Sequence, residues 1–105
     1  MKVSKYTNFE MLEKILNLVS KIFGVTPDLI LSESRKDDIC IARNTLSLIA
    51  YEAGYTCKKI GDFIHRHYSV VLYEKGEAYN ECDINFEYKR KVNHIREILN
   101  DTNCK

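Results

Sequence analysis

Hydrophobic residues recur at the spacing of an α-helix along almost the whole chain. The first such series is Leu12, Ile15, Leu16, Val19, Ile22 and Phe23. Thr7 followed three residues later by Glu10 predicts a capping box at the start of this helix, and Gly24 predicts its end. We therefore expect an N-terminal helix over residues 7–23.

Capping residues predict two further helices in the first half of the chain. Thr26 and Pro27 are typical of an N-cap and a first helical position, which predicts a short second helix. Ser34 with Asp37 predicts a capping box for a long third helix that Gly54 ends. One face of this helix consists of Ile39, Ala42, Leu46, Ile49 and Ala53. Further apolar residues widen that face, which is typical of the buried middle of a helical bundle.

Three more helices are predicted in the second half. Thr56 predicts the start of the fourth, Ser69 the start of the fifth, which extends to about Asn80, and Asp83 the start of the sixth. The apolar face of the sixth helix consists of Ile84, Tyr88, Val92, Ile95 and Leu99. No useful stretch alternates at the period of a strand. The pattern therefore predicts a single all-α domain over residues 1–105, a small helical bundle with a core at 24–82 and a C-terminal helix at 83–100.

Composition narrows the class of protein. The 105 residues have the size of one domain, and 45% hydrophobic with 30% charged residues is an ordinary globular balance. Sixteen basic against fifteen acidic residues give a net charge of +1, which excludes binding to nucleic acid mainly through bulk charge. Apolar runs are far shorter than the roughly 20 residues of a membrane span. We expect a cytoplasmic protein without a membrane partner.

The residues that carry chemistry predict no catalysis. The four cysteines are Cys40, Cys57, Cys82 and Cys104. They form no CxxC pair and favour reduced thiols, with two disulfides as the alternative in a secreted chain. His65 and His67 have no thiolate beside them, so we expect no metal. Nucleotide-binding and hydrolase motifs are absent from the sequence. We expect no cofactor, no bound nucleotide and no enzymatic activity.

The fourth and fifth predicted helices are short, and a tight polar turn separates them. Such a pair on a long apolar helix is the arrangement of a helix-turn-helix unit, whose second helix offers its first residues to bases in the major groove. Those residues are Arg66, His67, Tyr68, Ser69 and Val70. Arginine forms two hydrogen bonds with guanine, and serine and histidine donate or accept single hydrogen bonds at base edges. Valine contacts the thymine methyl group. An ordinary polar turn remains the alternative when spacing alone is considered.

The stretch from about Val19 to Tyr79 also resembles a known family, the C-terminal DNA-binding domain of the bacterial replication initiator DnaA. Phe23–Arg43 reads FGVTPDLILSESRKDDICIAR and resembles the family's FGV…DLLSKSRK…ARQ region. Lys59–Phe63 matches its IG pair and the aromatic that follows. Arg66–Tyr73 reads RHYSVVLY and resembles the signature RDHSTVLH. The resemblance implies a Trp-repressor-like helix-turn-helix fold that binds double-stranded DNA at short specific sequences.

Site residues implied by the resemblance fall into four groups. Contacts with major-groove bases or nearby phosphates fall on Arg66, His67, Tyr68, Ser69 and Tyr73. Arg35 occupies the place of an arginine that enters the minor groove, with Lys36 beside it. Arg43 and Asn44 match residues near the DNA backbone. The candidates for phosphate contacts on the fourth helix are Lys58 and Lys59.

Departures from the family pattern change the expected activity. The family's Asp-His pair is His67-Tyr68 here, and its turn glycines are replaced around Ile64 and His65, with one residue missing. We therefore expect a target other than the standard initiator box. The family's nucleotide-binding motor domain does not fit in 105 residues. We expect a stand-alone DNA-binding protein of replication or regulation, from a phage or mobile element.

A second hypothesis is a protein-interaction module that kept the fold and lost the DNA contacts. Acidic residues at Asp37, Asp38 and Glu77 and the near-zero net charge favour it. Its binding face would consist of Tyr51, Tyr55, Tyr68, Tyr73 and Tyr79, since tyrosine is enriched at protein interfaces. Half-buried packing is the plain alternative for these tyrosines.

Overall fold

The computed structural model describes residues 10–103. The helices are α1 (Glu10–Phe23), α2 (Pro27–Ile30), α3 (Asp37–Glu52), α4 (Cys57–Ile64), α5 (Tyr68–Ile84) and α6 (Phe86–Asn103). Residues 10–103 contain no strand, so the all-α prediction is confirmed. The predicted cap Thr7 and the cysteine Cys104 lie outside the described residues. The three cysteines inside that range are free thiols.

The starts of α2 and α4 follow the predicted caps. Thr26 Oγ1 accepts a hydrogen bond from the backbone N–H of Leu29 at 3.3 Å. Thr56 Oγ1 accepts one from the backbone N–H of Lys59 at 3.1 Å. Gly24 ends α1 at φ +70°, a left-handed conformation that glycine adopts without steric cost. These three predictions are confirmed.

The predicted start of α3 is wrong. The N-cap position belongs to Lys36, whose side chain makes no capping bond. Ser34 instead accepts the backbone N–H of Lys36 on its Oγ at 3.3 Å, which closes a small turn just before the helix. The serine therefore shapes the loop between α2 and α3.

The predicted start of α6 is wrong as well. Asp83 lies inside α5, which continues to Ile84. The cap is Asn85, whose Oδ1 accepts the backbone N–H of Tyr88 at 3.1 Å and whose amide donates to Glu81 at 2.9 Å. Ile84, predicted on the apolar face of the sixth helix, is 79% exposed.

The core is built around α3, which packs against α1, α2, α4 and α5. Its buried apolar residues are Ile39, Ala42, Leu46, Leu48, Ile49 and Ala50. Ala42 and Ala50 are fully buried, and their small side chains let neighbouring helices approach closely. The prediction of an apolar central helix is confirmed. No helix in the described part of the chain is both long and apolar enough to cross a bilayer.

Polar contacts join α3 to α6. Arg96 on α6 donates two hydrogen bonds to the Glu52 carboxylate, from Nε at 2.9 Å and from Nη2 at 2.7 Å. Tyr88 lies 2.7 Å from Thr45 Oγ1, which itself donates to a backbone carbonyl, so the tyrosine is the donor. Burial raises the pKa of Tyr88 to about 12. These contacts hold α6 against the bundle.

Candidate nucleic-acid interface

The turn between α4 and α5 depends on a close approach of two backbone segments. The backbone N–H of Arg66 donates to the carbonyl of Gly61 at 2.8 Å. A Cβ placed on Gly61 would lie 2.5 Å from the carbonyl oxygen of Arg66. Because real Cβ atoms do not approach backbone oxygens so closely, only glycine allows α5 to begin where it does. The IG pair of the sequence thus sets the geometry of the turn.

The turn itself carries a histidine in a conformation that glycine prefers. His65 ends α4 at φ +61° and ψ +45°, in the left-handed region. For a residue with a Cβ, this conformation costs roughly 1–2 kcal/mol. The described residues contain no other non-glycine residue with a positive φ. Here the chain departs from the turn glycines of the pattern that it resembles.

His67 starts the second helix of the unit. Its Nδ1 accepts the backbone N–H of Ser69 at 3.2 Å, and the hydroxyl of Ser69 lies 2.8 Å from the same atom. A backbone N–H only donates, so Nδ1 carries no proton and the proton of the neutral ring sits on Nε2. The imidazole therefore acts as the N-cap, and it presents one N–H donor on its other edge.

The first two turns of α5 are exposed on their outer face. Tyr68, Ser69, Leu72 and Tyr73 all lie in solvent, and Tyr73 is 66% exposed. Tyr68 packs its ring on that of His67, with centroids 4.4 Å apart. The predicted residues His67, Tyr68, Ser69 and Tyr73 thus share one surface. We call the outer residues Tyr68, Ser69, Leu72, Tyr73 and Gly76 the recognition face.

Leu72 is a member of this face that the sequence reasoning missed. A period of 3.6 residues from Tyr68 places it one turn further along the same side, which was the available signal. Val70, predicted to contact a thymine, is half-buried and turned toward a cleft beside the recognition face.

Arg66 differs most from its predicted position. Its Nη2 donates to the carbonyl of Ser32 at 2.6 Å and its Nη1 to the carbonyl of Ile64 at 3.3 Å. The fork therefore points back toward the loop between α2 and α3. We correct the expectation of an arginine that projects freely from the front of the helix.

Arg43 requires a second correction. It is 5% exposed, and its guanidinium donates to the carbonyls of Ile30 at 2.8 Å, Ser32 at 2.7 Å and Ser34 at 3.1 Å. A buried guanidinium satisfied by carbonyls cannot also reach a phosphate. We replace its predicted place near the DNA backbone with a structural role, in which it holds the loop that carries Arg35.

A cleft of about 610 Å³ lies between that loop, α3 and α5. The predicted residues on its lining are Arg35, Arg43, Asn44, Arg66, Val70 and Tyr73. Three acidic residues share it, namely Glu33, Glu74 and Glu77. The cleft therefore carries three basic and three acidic side chains, so carboxylates lie among its arginines.

Lys36, Lys58 and Lys59 are predicted basic residues that lie outside the cleft. Arg35 and Lys36 are exposed just before α3, and Lys36 does not line the cleft. Lys58 is exposed and Lys59 is half-buried in the first turn of α4. The candidate phosphate contacts thus lie in the first turn of α4 and just before α3.

Glu74 is a buried polar residue that the sequence reasoning missed. It is 5% exposed and accepts a hydrogen bond from the Ser47 hydroxyl on α3 at 2.7 Å. Burial raises the pKa of its carboxyl, and the Ser47 hydrogen bond and the charges of Arg43 and Arg66 oppose that rise. The signal in the sequence was a carboxylate in the buried series of α5, between Val71 and Ala78.

Comparison with known proteins gives two findings. The family model described as the bacterial DnaA protein helix-turn-helix matches residues 12–75. A chromosomal replication initiator protein DnaA from Pseudothermotoga lettingae is 35% identical over 60 residues. That match covers 56% of this chain and 14% of the relative, so the chain spans only a small part of the curated protein's length.

Proposed function

The chain belongs to the family of bacterial DnaA helix-turn-helix domains, and on that premise we propose that its α5 binds in the major groove of double-stranded DNA. The observation that carries the proposal is the recognition face, which is open to solvent while the other side of α5 is locked against α3 and α4. An α-helix held in this way fits the major groove of B-DNA. The proposed activity is binding without catalysis.

Base contacts are assigned to the side chains at the front of α5. The Nε2–H of His67 and the hydroxyls of Tyr68 and Tyr73 are the polar groups nearest to the groove. The Ser69 hydroxyl is within hydrogen-bond distance of His67 Nδ1 and helps to orient the imidazole ring. The Arg66 guanidinium can contact a base only after its hydrogen bond with the Ser32 carbonyl breaks. We therefore do not assign it a primary base contact.

Backbone contacts are assigned to groups at the edges of the unit. Lys58 and Lys59 lie in the first turn of α4 and are assigned to the phosphates of one DNA strand. Arg35, with Lys36 beside it, extends from the loop that Arg43 holds, which supports its predicted place in the minor groove. Asn44 lines the cleft behind Arg35 and is assigned to the backbone. These contacts position the helix without reading sequence.

The mixed charge of the cleft favours one second candidate, a protein partner. Glu33 and Glu77 are exposed beside Arg35, and carboxylates repel phosphate. Exposed tyrosines on α5 also suit a protein interface. A role in replication or regulation, and an origin in a phage or mobile element, stay predictions.

The decisive experiment is selection of bound duplexes from a random pool, followed by fluorescence anisotropy over a salt series. We expect selected duplexes to bind more tightly than random ones, with a slope of log affinity on log salt that reflects a few phosphates. Lys58→Ala is expected to reduce that slope by about 1 and to weaken all sequences alike.

Lys14→Ala is the matched control, because Lys14 is an exposed lysine on α1, which packs against α2, α3 and α6. It is expected to leave the slope unchanged. Equally poor binding of selected and random duplexes at low salt would reject the proposal in favour of a protein partner.

A further inference from the structure

We propose that the recognition face reads thymine through its 5-methyl group, with Leu72 and Tyr73 as the specificity-determining residues. This inference rests on the proposed function and names the bases that the helix selects. It concerns the side of α5 that packing leaves free.

The recognition face offers no free cation to guanine. Lys75 is the single basic residue between Tyr68 and Ile84. Its ammonium lies 3.7 Å from the centre of the Tyr51 ring, on the side of α5 that faces the end of α3. The fork of Arg66 is bonded to the carbonyls of Ser32 and Ile64. The usual bidentate contact of arginine or lysine with guanine is therefore not available on this face.

Amide side chains are also missing from the front of the helix. From Tyr68 to Tyr79, α5 contains neither asparagine nor glutamine, the residues that form a bidentate pair with adenine. The first such residue is Asn80, three turns beyond Tyr68. Direct reading of purines is thus left to single hydroxyl and imidazole groups.

Apolar surface takes the place of these polar groups. Leu72 is 46% exposed and Tyr73 is 66% exposed, and the two lie side by side on the outer surface of α5. Neither exposed surface contributes to the core. In the major groove the one apolar group on a base edge is the 5-methyl of thymine, and an aliphatic or aromatic side chain gains by covering it.

Gly76 supports a close approach of this face to DNA. It lies one turn beyond Leu72, and a Cβ placed there would meet nothing within 4 Å outside its own helix. Packing therefore does not require glycine, although glycine inside a helix costs about 1 kcal/mol relative to alanine. An open position at the centre of the outer face lets the helix sit deeper in the groove, where Leu72 and Tyr73 reach the base edges.

The test replaces thymine by deoxyuridine, one position at a time, in a duplex selected by the protein. This change removes the methyl group and leaves every hydrogen-bonding group in place. We expect about fourfold weaker binding at one or more thymines, the effect of one buried methyl or methylene group. Leu72→Ala or Tyr73→Ala is expected to abolish the difference between thymine and deoxyuridine at such a position.

Ile84→Ala is the matched control, since Ile84 is an exposed aliphatic residue on the same helix, about 18 Å further along its axis. It is expected to keep the thymine preference. Selective binding with equal affinity for both duplexes would overturn the inference and leave the proposed function standing. A preference that persists in both the Leu72 and Tyr73 variants would overturn the assignment to this face. Loss of all selective binding would reject the inference together with the proposed function.

Discussion

Two glycines of this chain stand in opposite surroundings. Gly61 faces the backbone of Arg66, where a Cβ would lie 2.5 Å from the carbonyl oxygen. Gly76 lies in the middle of α5 and faces open space. The same residue type is therefore required for packing at one position and costs stability at the other.

This contrast predicts opposite effects of one substitution. Gly61→Ala should lower the free energy of unfolding by about 1–3 kcal/mol, because the added methyl group forces α5 away from α4. Gly76→Ala should raise it by about 1 kcal/mol, the difference in helix propensity. Urea denaturation measures both. Similar effects at the two positions would contradict the tight turn.

The two arginines show a limit of residue-level prediction. Arg43 and Arg66 both donate to the carbonyl of Ser32, at 2.7 and 2.6 Å. Sequence reasoning assigned each to DNA because of its type and its place in the resembling segments. The Ser32 carbonyl lies 11 residues from Arg43 and 34 residues from Arg66 along the chain. Only folding brings it close to both, so no local pattern indicated it.

At the scale of elements, α5 starts with a histidine as its N-cap instead of a short polar residue. His67 accepts the backbone N–H of Ser69 on Nδ1, the role that short polar side chains usually fill. The side chain is exposed, and the Nε2–H of its ring is the candidate donor to bases. Helix start and candidate base contact are therefore carried by one side chain.

Substitution of His67 should separate these two roles. His67→Ala is expected to lower the free energy of unfolding by about 1 kcal/mol through loss of the cap. His67→Asp should keep full stability, because a carboxylate accepts the same N–H and suits the positive end of the helix dipole. Both variants should also lose the Nε2–H donor that we propose as a contact with DNA. Equal stabilities of the Ala and Asp variants in urea would contradict the capping role.

Capping patterns located some helix starts and failed at others. Thr26 and Thr56 were predicted correctly, because each side chain bonds within three residues of its own position. Ser34 and Asp83 matched the pattern but do not cap. Ser34 belongs to a loop that Arg43 holds through its carbonyl, which shifts the start of α3 to Asp37.

At the scale of the whole molecule, Glu74 couples α5 to the central helix. Its carboxylate accepts the Ser47 hydroxyl inside the bundle, with Arg43 and Arg66 near enough to influence its charge. Burial dominates, so the pKa of the carboxyl is raised. The folded state therefore holds the proton more tightly than the unfolded state does.

That difference predicts a pH dependence of stability. The stabilising contribution of Glu74 is fully present below the unfolded pKa of about 4.3 and is lost as pH rises through the higher pKa of the folded state. Glu74→Gln does not titrate at this position. We expect the unfolding free energy of the wild type minus that of Glu74→Gln to fall as pH rises through this window.

Chemical denaturation at a series of pH values measures this difference. When Ser47→Ala is present in both proteins, this difference in unfolding free energy should fall more steeply with pH. The reason is that the substitution removes the hydrogen bond that favours the charged carboxylate of Glu74. A difference that is constant with pH, or that rises with pH, would contradict the buried position of the group.

The sequence by itself determined the helical class, the apolar central helix, the start or end of several helices and the position of the helix-turn-helix unit. These features follow from periodicity and from caps that act within a single turn of the chain. Tertiary structure alone decided that Arg43 and Arg66 turn inward and that the Glu74 carboxyl pairs with the Ser47 hydroxyl. Those pairings depend on which backbone and side-chain atoms meet across 11 to 34 residues, and spacing along one helix contains no information about such partners.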